Sequence, residues 1–225
     1  CHPFAVEIKD FTKPVDIPAV DVPAGYTTLF VFPYSVGFQF SGFKNLAALN
    51  EAITKRLKDL GVTTLLFMRH LELIEYEIKI PGKEASGEYL LDAEPVNDHC
   101  TRVSAIESED DKTDESLSFI KFSMPIDSMV STRTIDVAFT VATDKEGKTT
   151  FQKAKNPYIS VYFPTETESK LDFIVQGPFR TTPNRSSVPA DEEENEALAE
   201  QTAKLLRQSV LELRDMGLLD LSLIR

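Results

Sequence analysis

The chain has few cysteines, no long apolar run and no basic run. Its two cysteines, Cys1 and Cys100, are too few for a disulfide framework, which is typical of a reducing, cytoplasmic environment. No segment approaches the roughly 20 apolar residues of a membrane-spanning helix, and the first residues form no signal core, so we expect neither a membrane partner nor export. The formal net charge is −12, and no Lys/Arg cluster offsets it. We therefore expect no nucleic-acid partner, because nucleic acids are themselves anions.

Common catalytic and nucleotide-binding motifs are also absent from the sequence. It has no Gly-x-x-x-x-Gly-Lys-Ser/Thr loop, no Gly-x-Gly-x-x-Gly loop, no Gly-x-Ser-x-Gly elbow and no His-Glu-x-x-His helix. His99 and Cys100 are adjacent, but neighbouring side chains point apart in a strand and no second ligand pair stands nearby. We therefore expect a loop histidine beside a strand cysteine and no metal site. The same lack of partners disfavours a cysteine nucleophile.

The spacing of apolar residues predicts an α+β protein. It would have a largely antiparallel or mixed sheet, one amphipathic helix near the N-terminus and a long C-terminal helix. Residues 1–24 are punctuated by prolines and predict an extended lead-in, which is followed by a short apolar strand at 29–32. Leucines at three- and four-residue steps predict the first helix over 44–60. A buried-type strand is predicted at 64–68, and a strand with one wet face at 74–80.

The rest of the chain predicts a β meander followed by a helix. The acidic run at 107–115, ESEDDKTDE, has no apolar side chain to bury and predicts a mobile, solvated loop. The final helix is predicted to begin with a capping box formed by Asp191 and Glu194 and to end at Gly217. The predicted strands of the meander are 88–92, 102–106, 117–122, 135–142, 158–163 and 172–176.

The stretch 171–188, LDFIVQGPFRTTPNRSSV, places two arginines on a predicted strand-to-helix loop. The guanidinium groups of Arg180 and Arg185 suit an anion such as a phosphate, because the planar fork of Arg matches a pair of phosphate oxygens. The alternative is that these are ordinary loop residues and that both arginines bind nothing. Polar side chains beside the arginines would support a phosphate contact, and they belong to Thr181, Thr182, Asn184 and Ser186.

Five sequence segments resemble the GHKL ATPases, the superfamily of the heat-shock chaperone, gyrase and the mismatch-repair ATPases. GYTTLFVFP at 25–33, an amphipathic helix and LLFMRH at 65–70 resemble the closing segment of the ATPase domain. YISVYFPT at 158–165 and LDFIVQGPFRTTPNR at 171–185 resemble sacsin-like, chaperone-type ATP-binding proteins just after that domain.

The resemblance implies a division of the chain and a role for one arginine. Residues 1–70 would be the C-terminal end of an ATPase domain, and residues 71–225 a transducer-like middle domain. In this family the middle domain extends an Arg towards the γ-phosphate of ATP that the preceding domain holds. Asn184-Arg185-Ser186 is similar to the family's Asn-x-x-Arg-Glu neighbourhood, although Ser186 replaces the acidic residue. The resemblance therefore implies Arg185 for the catalytic contact, with Arg180 as its competitor.

The resemblance also implies that an upstream domain binds most of the ATP and Mg. The family's Asn/Glu helix, Asp-x-Gly-x-Gly turn and Gly-rich lid do not occur among the 225 residues. The chain also lacks an initiator methionine, so we expect that an upstream part is missing or was removed. Alone, the chain is expected neither to bind ATP tightly nor to hydrolyse it. Its expected partners are the upstream ATPase domain and a protein client.

Two other functions are compatible with the residues. The first is a non-catalytic interaction module that docks a partner through its sheet or its C-terminal helix. An exposed apolar patch at 218–224 would favour such a module. The second is a stand-alone enzyme acting on a small molecule, which is weakened by the absence of an evident acid–base pair.

Overall fold

The computed structural model of the chain describes residues 43–68, 70–80, 82–109, 112–126, 133–155 and 157–219. The described residues from Thr54 onward belong to one compact unit, and those up to Ile53 belong to another. The helices are α1 (Leu46–Lys58) and α2 (Glu193–Asp215). The strands are β1 (Leu73–Ile80), β2 (Lys83–Pro95), β3 (Cys100–Glu109), β4 (Lys112–Pro125), β5 (Thr134–Thr143), β6 (Thr149–Gln152), β7 (Tyr158–Val161), β8 (Phe163–Glu168) and β9 (Ile174–Gln176).

The nine strands of the described residues form one mixed sheet. Its strands are hydrogen-bonded in the order β1-β2-β3-β4-β5-β9-β7-β8, and β6 pairs with the far end of β5. Strands β1 to β5 run as antiparallel neighbours in chain order. The last strand, β9, lies between β5 and β7 and is parallel to β7. The α+β class with a mixed sheet and a long C-terminal helix is therefore confirmed.

The sheet buries apolar side chains on both of its faces. Alternate residues of β5 point to opposite faces, so Val137 and Phe139 lie in one core and Ala138 lies in the other. Helix α2 packs on β5 and β4 and supplies Leu205 and Leu213 to the first core. The first core comprises Cys100, Ile120, Phe122, Ile135, Val137, Phe139, Val141, Phe151, Val161, Val175, Phe179, Leu205 and Leu213. The second comprises Leu65, Leu66, Phe67, Tyr89, Leu91, Val103, Ala105, Phe119, Ala138 and Ile174.

The predicted strand at 64–68 is wrong. The chain forms a 3₁₀ turn at Val62–Thr64, and turns continue through Phe67. Leu65 and Leu66 are nevertheless fully buried in the second core. A short apolar run reports burial but does not separate a buried turn from a buried strand. Here the apolar side chains cover one face of the sheet without joining it.

The predicted loop at 107–115 is also wrong. Glu107 pairs with Glu115, and Ser108 pairs with Thr113, so the described parts of the acidic run, 107–109 and 112–115, lie in the paired strands β3 and β4. A register shift between Glu107 and Ser108 marks a bulge, and Glu109 forms an ion pair with Lys58. The backbone ladder stabilises this hairpin without apolar side chains, which composition alone does not reveal.

The other expectations differ in their outcomes. The helix over 44–60 and the strands near 74–80, 88–92, 102–106, 117–122 and 135–142 are confirmed. The predicted strand at 158–163 is two strands, because Tyr162 adopts a φ of 65° between β7 and β8. Strand β6 was not predicted. The lead-in at 1–24 and the strand at 29–32 lie outside the described residues. The division at residues 70 and 71 stays a prediction.

Helix α2 begins later than predicted and ends as predicted. Its N-cap is Glu192, which makes no side-chain capping hydrogen bond, so the capping box of Asp191 and Glu194 is wrong. Gly217 has a φ of 71°, and its N–H donates to Arg214 O while Leu218 N–H donates to Leu213 O. This pair of bonds is a Schellman motif, which needs a residue in the left-handed region. Neither described helix is long and apolar enough to cross a membrane.

The phenol of Tyr89 joins β2 to the end of α1. Its hydroxyl lies 2.7 Å from Leu57 O and 2.8 Å from Lys58 O, two carbonyls of the last helical turn. The last carbonyls of a helix lack intrahelical donors, so this hydroxyl satisfies a group that would otherwise be unpaired. Burial raises the pKa of Tyr89 to about 12, because the phenolate would lose its hydration.

We predict that the free energy of unfolding falls less at alkaline pH in Tyr89→Phe than in the wild type. The unfolded chain releases the Tyr89 proton near its ordinary pKa of 10.0, whereas the folded chain holds it to about 12. This contribution is therefore complete below pH 10 and is lost as the pH rises to 12. Urea unfolding of both proteins at about pH 8 and about pH 11.5 measures this difference. The fall in the free energy of unfolding between the two pH values should be smaller in the variant by about 2 kcal/mol.

At neutral pH the same variant should be about 1 kcal/mol less stable, since it lacks the hydrogen bond. Burial also raises the pKa of Cys100 to about 11. Cys100 is present in both proteins, so its titration lowers the stability of both by the same amount. Equal alkaline losses in the two proteins would contradict the assignment to Tyr89.

Candidate functional site

The arginine loop, residues 177–192, joins β9 to α2. It begins at Gly177, whose N–H donates to Ser160 O of β7 over 3.1 Å. A Cβ at Gly177 would lie 2.8 Å from a ring carbon of Phe179, so the absent side chain lets that ring fold back against the backbone. Phe179 is itself buried in the first core. The loop is thus anchored to the core directly before Arg180.

The second half of the loop lies along β8. Glu166 N–H donates to Ser186 O over 2.7 Å, and Val188 N–H donates to Thr167 Oγ1 over 2.9 Å. Both bonds hold the loop to β8 directly after Arg185.

Between these anchors the loop forms a compact turn around Asn184. Asn184 Oδ1 accepts hydrogen bonds from Thr182 Oγ1 at 2.7 Å, from Ser186 Oγ at 3.0 Å and from Ser186 N–H at 3.3 Å. Thr182 N–H donates to Ser187 O and closes the turn. The hydroxyl protons proposed as phosphate donors are therefore used inside the loop. Thr181 is half-buried, and its hydroxyl makes no hydrogen bond within the described part of the chain.

The two arginines have different electrostatic surroundings. Arg180 is exposed, with Nη1 3.1 Å from Glu192 Oε2 and Nε 3.5 Å from Glu194 Oε2. The hydrogen bond to Glu192 and the charge of Glu194 raise the pKa of Arg180. Its positive charge therefore faces two carboxylates at the start of α2, which compete with any incoming anion.

Arg185 has no such carboxylate within the part of the chain that the structure describes. It is exposed, and Nη2 donates to the carbonyl oxygen of Val161 over 3.3 Å. Among the described residues it forms no ion pair. Its φ is 60°, a left-handed conformation that costs an arginine roughly 1–2 kcal/mol. The hydrogen bond from its own N–H to Thr182 O at 2.7 Å helps to hold that conformation.

Asn195 is a loop contact that the sequence reasoning missed. It lies in the first turn of α2, and only 5% of it is exposed. The surrounding acidic residues suggested a solvated helix start. The single uncharged amide in the run EEENE was the available signal, because an Asn inside a helix turn is frequent where its side chain bonds backbone groups elsewhere.

His99 lies in the turn between β2 and β3, and Cys100 is the first residue of β3. Cys100 is fully buried in the first core, and His99 is exposed. Burial raises the pKa of the Cys100 thiol to about 11, which keeps it protonated and unreactive at neutral pH. Within the described ranges, no three His, Cys, Asp or Glu side chains are grouped as metal ligands.

We predict that Asn184→Ala loosens the arginine loop. The variant removes the one acceptor that Thr182 and Ser186 share, so backbone amides of residues 182–187 should exchange with deuterium several-fold faster. Thr181→Ala is the matched control, because it removes a neighbouring hydroxyl outside this network. Hydrogen exchange followed by mass spectrometry should show protection lost only in Asn184→Ala. Equal protection in the two variants would show that the network does not order the loop.

Comparison with known proteins gives no relative from which a role can be transferred. No family model, no curated protein sequence and no solved structure matches the chain. The likeness to sacsin-like GHKL ATPases therefore depends on the sequence motifs, and the chemistry of the arginine loop depends on its own side chains.

Proposed function

We propose that the chain is the nucleotide-sensing and transducing region of a chaperone-like GHKL ATPase. In this proposal Arg185 contacts the γ-phosphate of an ATP molecule held by an upstream domain. The observation that carries the proposal is that Arg185 is exposed and unpaired with any carboxylate of the described residues, in a chain whose net charge is −12. A guanidinium that keeps its charge available in such a chain is suited to an anion from outside it.

Electrostatics favour Arg185 over Arg180 for this contact. An anion that approaches Arg180 must displace Glu192 and Glu194, which already neutralise the guanidinium. Among the described residues, the guanidinium of Arg185 would give up the neutral carbonyl of Val161. A phosphate carries a negative charge that the carbonyl lacks and can accept two parallel hydrogen bonds from one guanidinium, so exchange of Val161 O for a phosphate is favourable.

The timing of the contact would couple chemistry to domain movement. ATP supplies the phosphoryl group and its developing negative charge. A cation stabilises that charge only when it is in place during the reaction. Because Arg185 belongs to this chain and the nucleotide to another domain, its contact requires the two to close. The loop is continuous with β9 and α2, so closure would be transmitted to the sheet and onward to a client.

An apolar groove supports the alternative, a non-catalytic module that docks a partner. The groove lies between the end of β4 and α2 and has a volume of about 510 Å³. Leu211 on its rim is 45% exposed. Of the suggested patch at 218–224, only Leu218 and Leu219 are among the described residues, and Leu219 is 37% exposed. If docking were the sole function, substitutions in the arginine loop would not alter ATP turnover.

We predict that Arg185→Ala lowers the ATP turnover of the full-length protein that carries this chain. Loss of a charge-stabilising donor typically reduces kcat by about 100-fold, while KM for ATP should change little because the nucleotide is bound elsewhere. Arg180→Ala is the matched control and should keep kcat within about twofold. Steady-state phosphate release measures both constants. Wild-type turnover in both variants would contradict the proposal, and a loss confined to Arg180→Ala would assign the contact to Arg180.

We also predict that the isolated chain binds Mg-ATP no tighter than a Kd of about 1 mM. One arginine without a carboxylate partner among the described residues, on a loop where the Thr182 and Ser186 hydroxyls are bonded internally, makes too few contacts for a nucleotide site. Isothermal titration calorimetry of residues 1–225 measures the affinity directly. Micromolar binding would place a nucleotide pocket inside this chain and contradict the proposal that an upstream domain binds the ATP.

A further inference from the structure

The side chain of Asn195 ties together the two ends of the arginine loop. Its Oδ1 accepts a hydrogen bond from Arg180 N–H at 2.7 Å, and its Nδ2 donates to Arg180 O at 3.0 Å and to Pro189 O at 2.8 Å. Arg180 and Pro189 precede and follow Arg185 in the chain. One buried amide therefore fixes the backbone at both sides of the arginine.

Only an amide of this length provides this pattern. It must accept one hydrogen bond and donate two, which a carboxylate or a hydroxyl does not do. Since Asn195 is 5% exposed, water cannot readily replace a lost partner, and each unpaired backbone group would be costly. The position of the loop relative to α2 is thus fixed by the three hydrogen bonds of the Asn195 side chain, all of which go to the backbone of the loop.

We propose that Asn195 is a positioning residue for Arg185. This inference rests on the proposed function of Arg185. Asn195 does not contact the phosphate. It holds the loop ends on the first turn of α2, so that Arg185 arrives at the γ-phosphate in one geometry when the domains close. Catalytic groups lose large factors in rate when they are misplaced by about 1 Å. Loss of the Asn195 bonds would leave the loop held by Phe179 and by β8, with the backbone at Arg180 and Pro189 no longer fixed to α2.

A control substitution elsewhere on α2 separates this role from general stabilisation of the fold. Ser209 is also buried on α2, and its hydroxyl donates to Leu205 O within the same helix. Ser209→Ala therefore removes a buried hydrogen bond of α2 that does not touch the arginine loop. It is the matched control for Asn195→Ala, since both variants lose buried polar contacts and only one changes the loop.

The test measures ATP turnover and hydrogen exchange in the full-length protein that carries this chain. Asn195→Ala should lower kcat by about tenfold or more, leave KM for ATP unchanged and speed amide exchange within residues 178–190. Ser209→Ala should keep the wild-type kcat. Asn195→Gln keeps the amide but moves it by one methylene, so its kcat should lie between those of wild type and Asn195→Ala. If Asn195→Ala does not fold, Asn195→Gln decides the question alone.

Each outcome has a distinct meaning. Wild-type kcat in folded Asn195→Ala or Asn195→Gln, together with a lowered kcat in Arg185→Ala, would overturn the positioning role and leave the proposed function standing. Equal losses in Asn195→Ala and Ser209→Ala would also overturn it, because stability alone would then explain the effect. Wild-type turnover in Arg185→Ala would remove the proposed role of Asn195, and wild-type turnover in both Arg185→Ala and Arg180→Ala would refute the proposed function as well.

Discussion

Burial of β5 on both faces is the constraint on which the rest of the structure depends. A strand with two covered faces needs an apolar layer above and another below. Helix α2 provides the first layer, where Phe139 meets the rings of Phe122, Phe151 and Phe173 at centroid distances of 6.1, 5.9 and 5.2 Å. The turn around Leu65 and Leu66 contributes to the second. Because α2 must lie on β5 and β9 must pair with it, the loop that joins β9 to α2 has its two ends fixed by the core.

Within that fixed frame, the distribution of carboxylates gives the loop its chemical character. The acidic start of α2 suits the positive end of the helix dipole, and two of its side chains also reach Arg180. Arg185 lies on the part of the loop that is bonded to β8 through backbone groups. The same loop therefore holds one neutralised and one available guanidinium. That difference, rather than the number of arginines, favours an anion contact at a single position.

The sequence predicts most of the sheet and part of the site. Strands such as β5 are predictable because their β-branched and aromatic residues are continuous over the strand length. The predictions of a strand at 64–68 and of a loop at 107–115 were wrong for opposite reasons. The first segment buries apolar residues without pairing in the sheet, whereas the second contains paired strands although it has no apolar residues. The loop with Arg180 and Arg185 was predictable from its glycine and proline residues, which interrupt regular secondary structure. The partners of Arg180 and the contacts of Asn195 were not, because they depend on how α2 lies against the loop.

The insertion of β9 between β5 and β7 also determines the order in which the molecule can assemble. Strands β1 to β5 are joined by short connections and pair with their neighbours in the chain, so they require only local loop closure. Strand β9 must find β5 across the intervening β6, β7 and β8, and it pairs in parallel with β7. Such non-local pairing is the slow part of folding. The arginine loop follows β9 in the chain, so the geometry around Arg185 is complete only after the last strand of the sheet has taken its place.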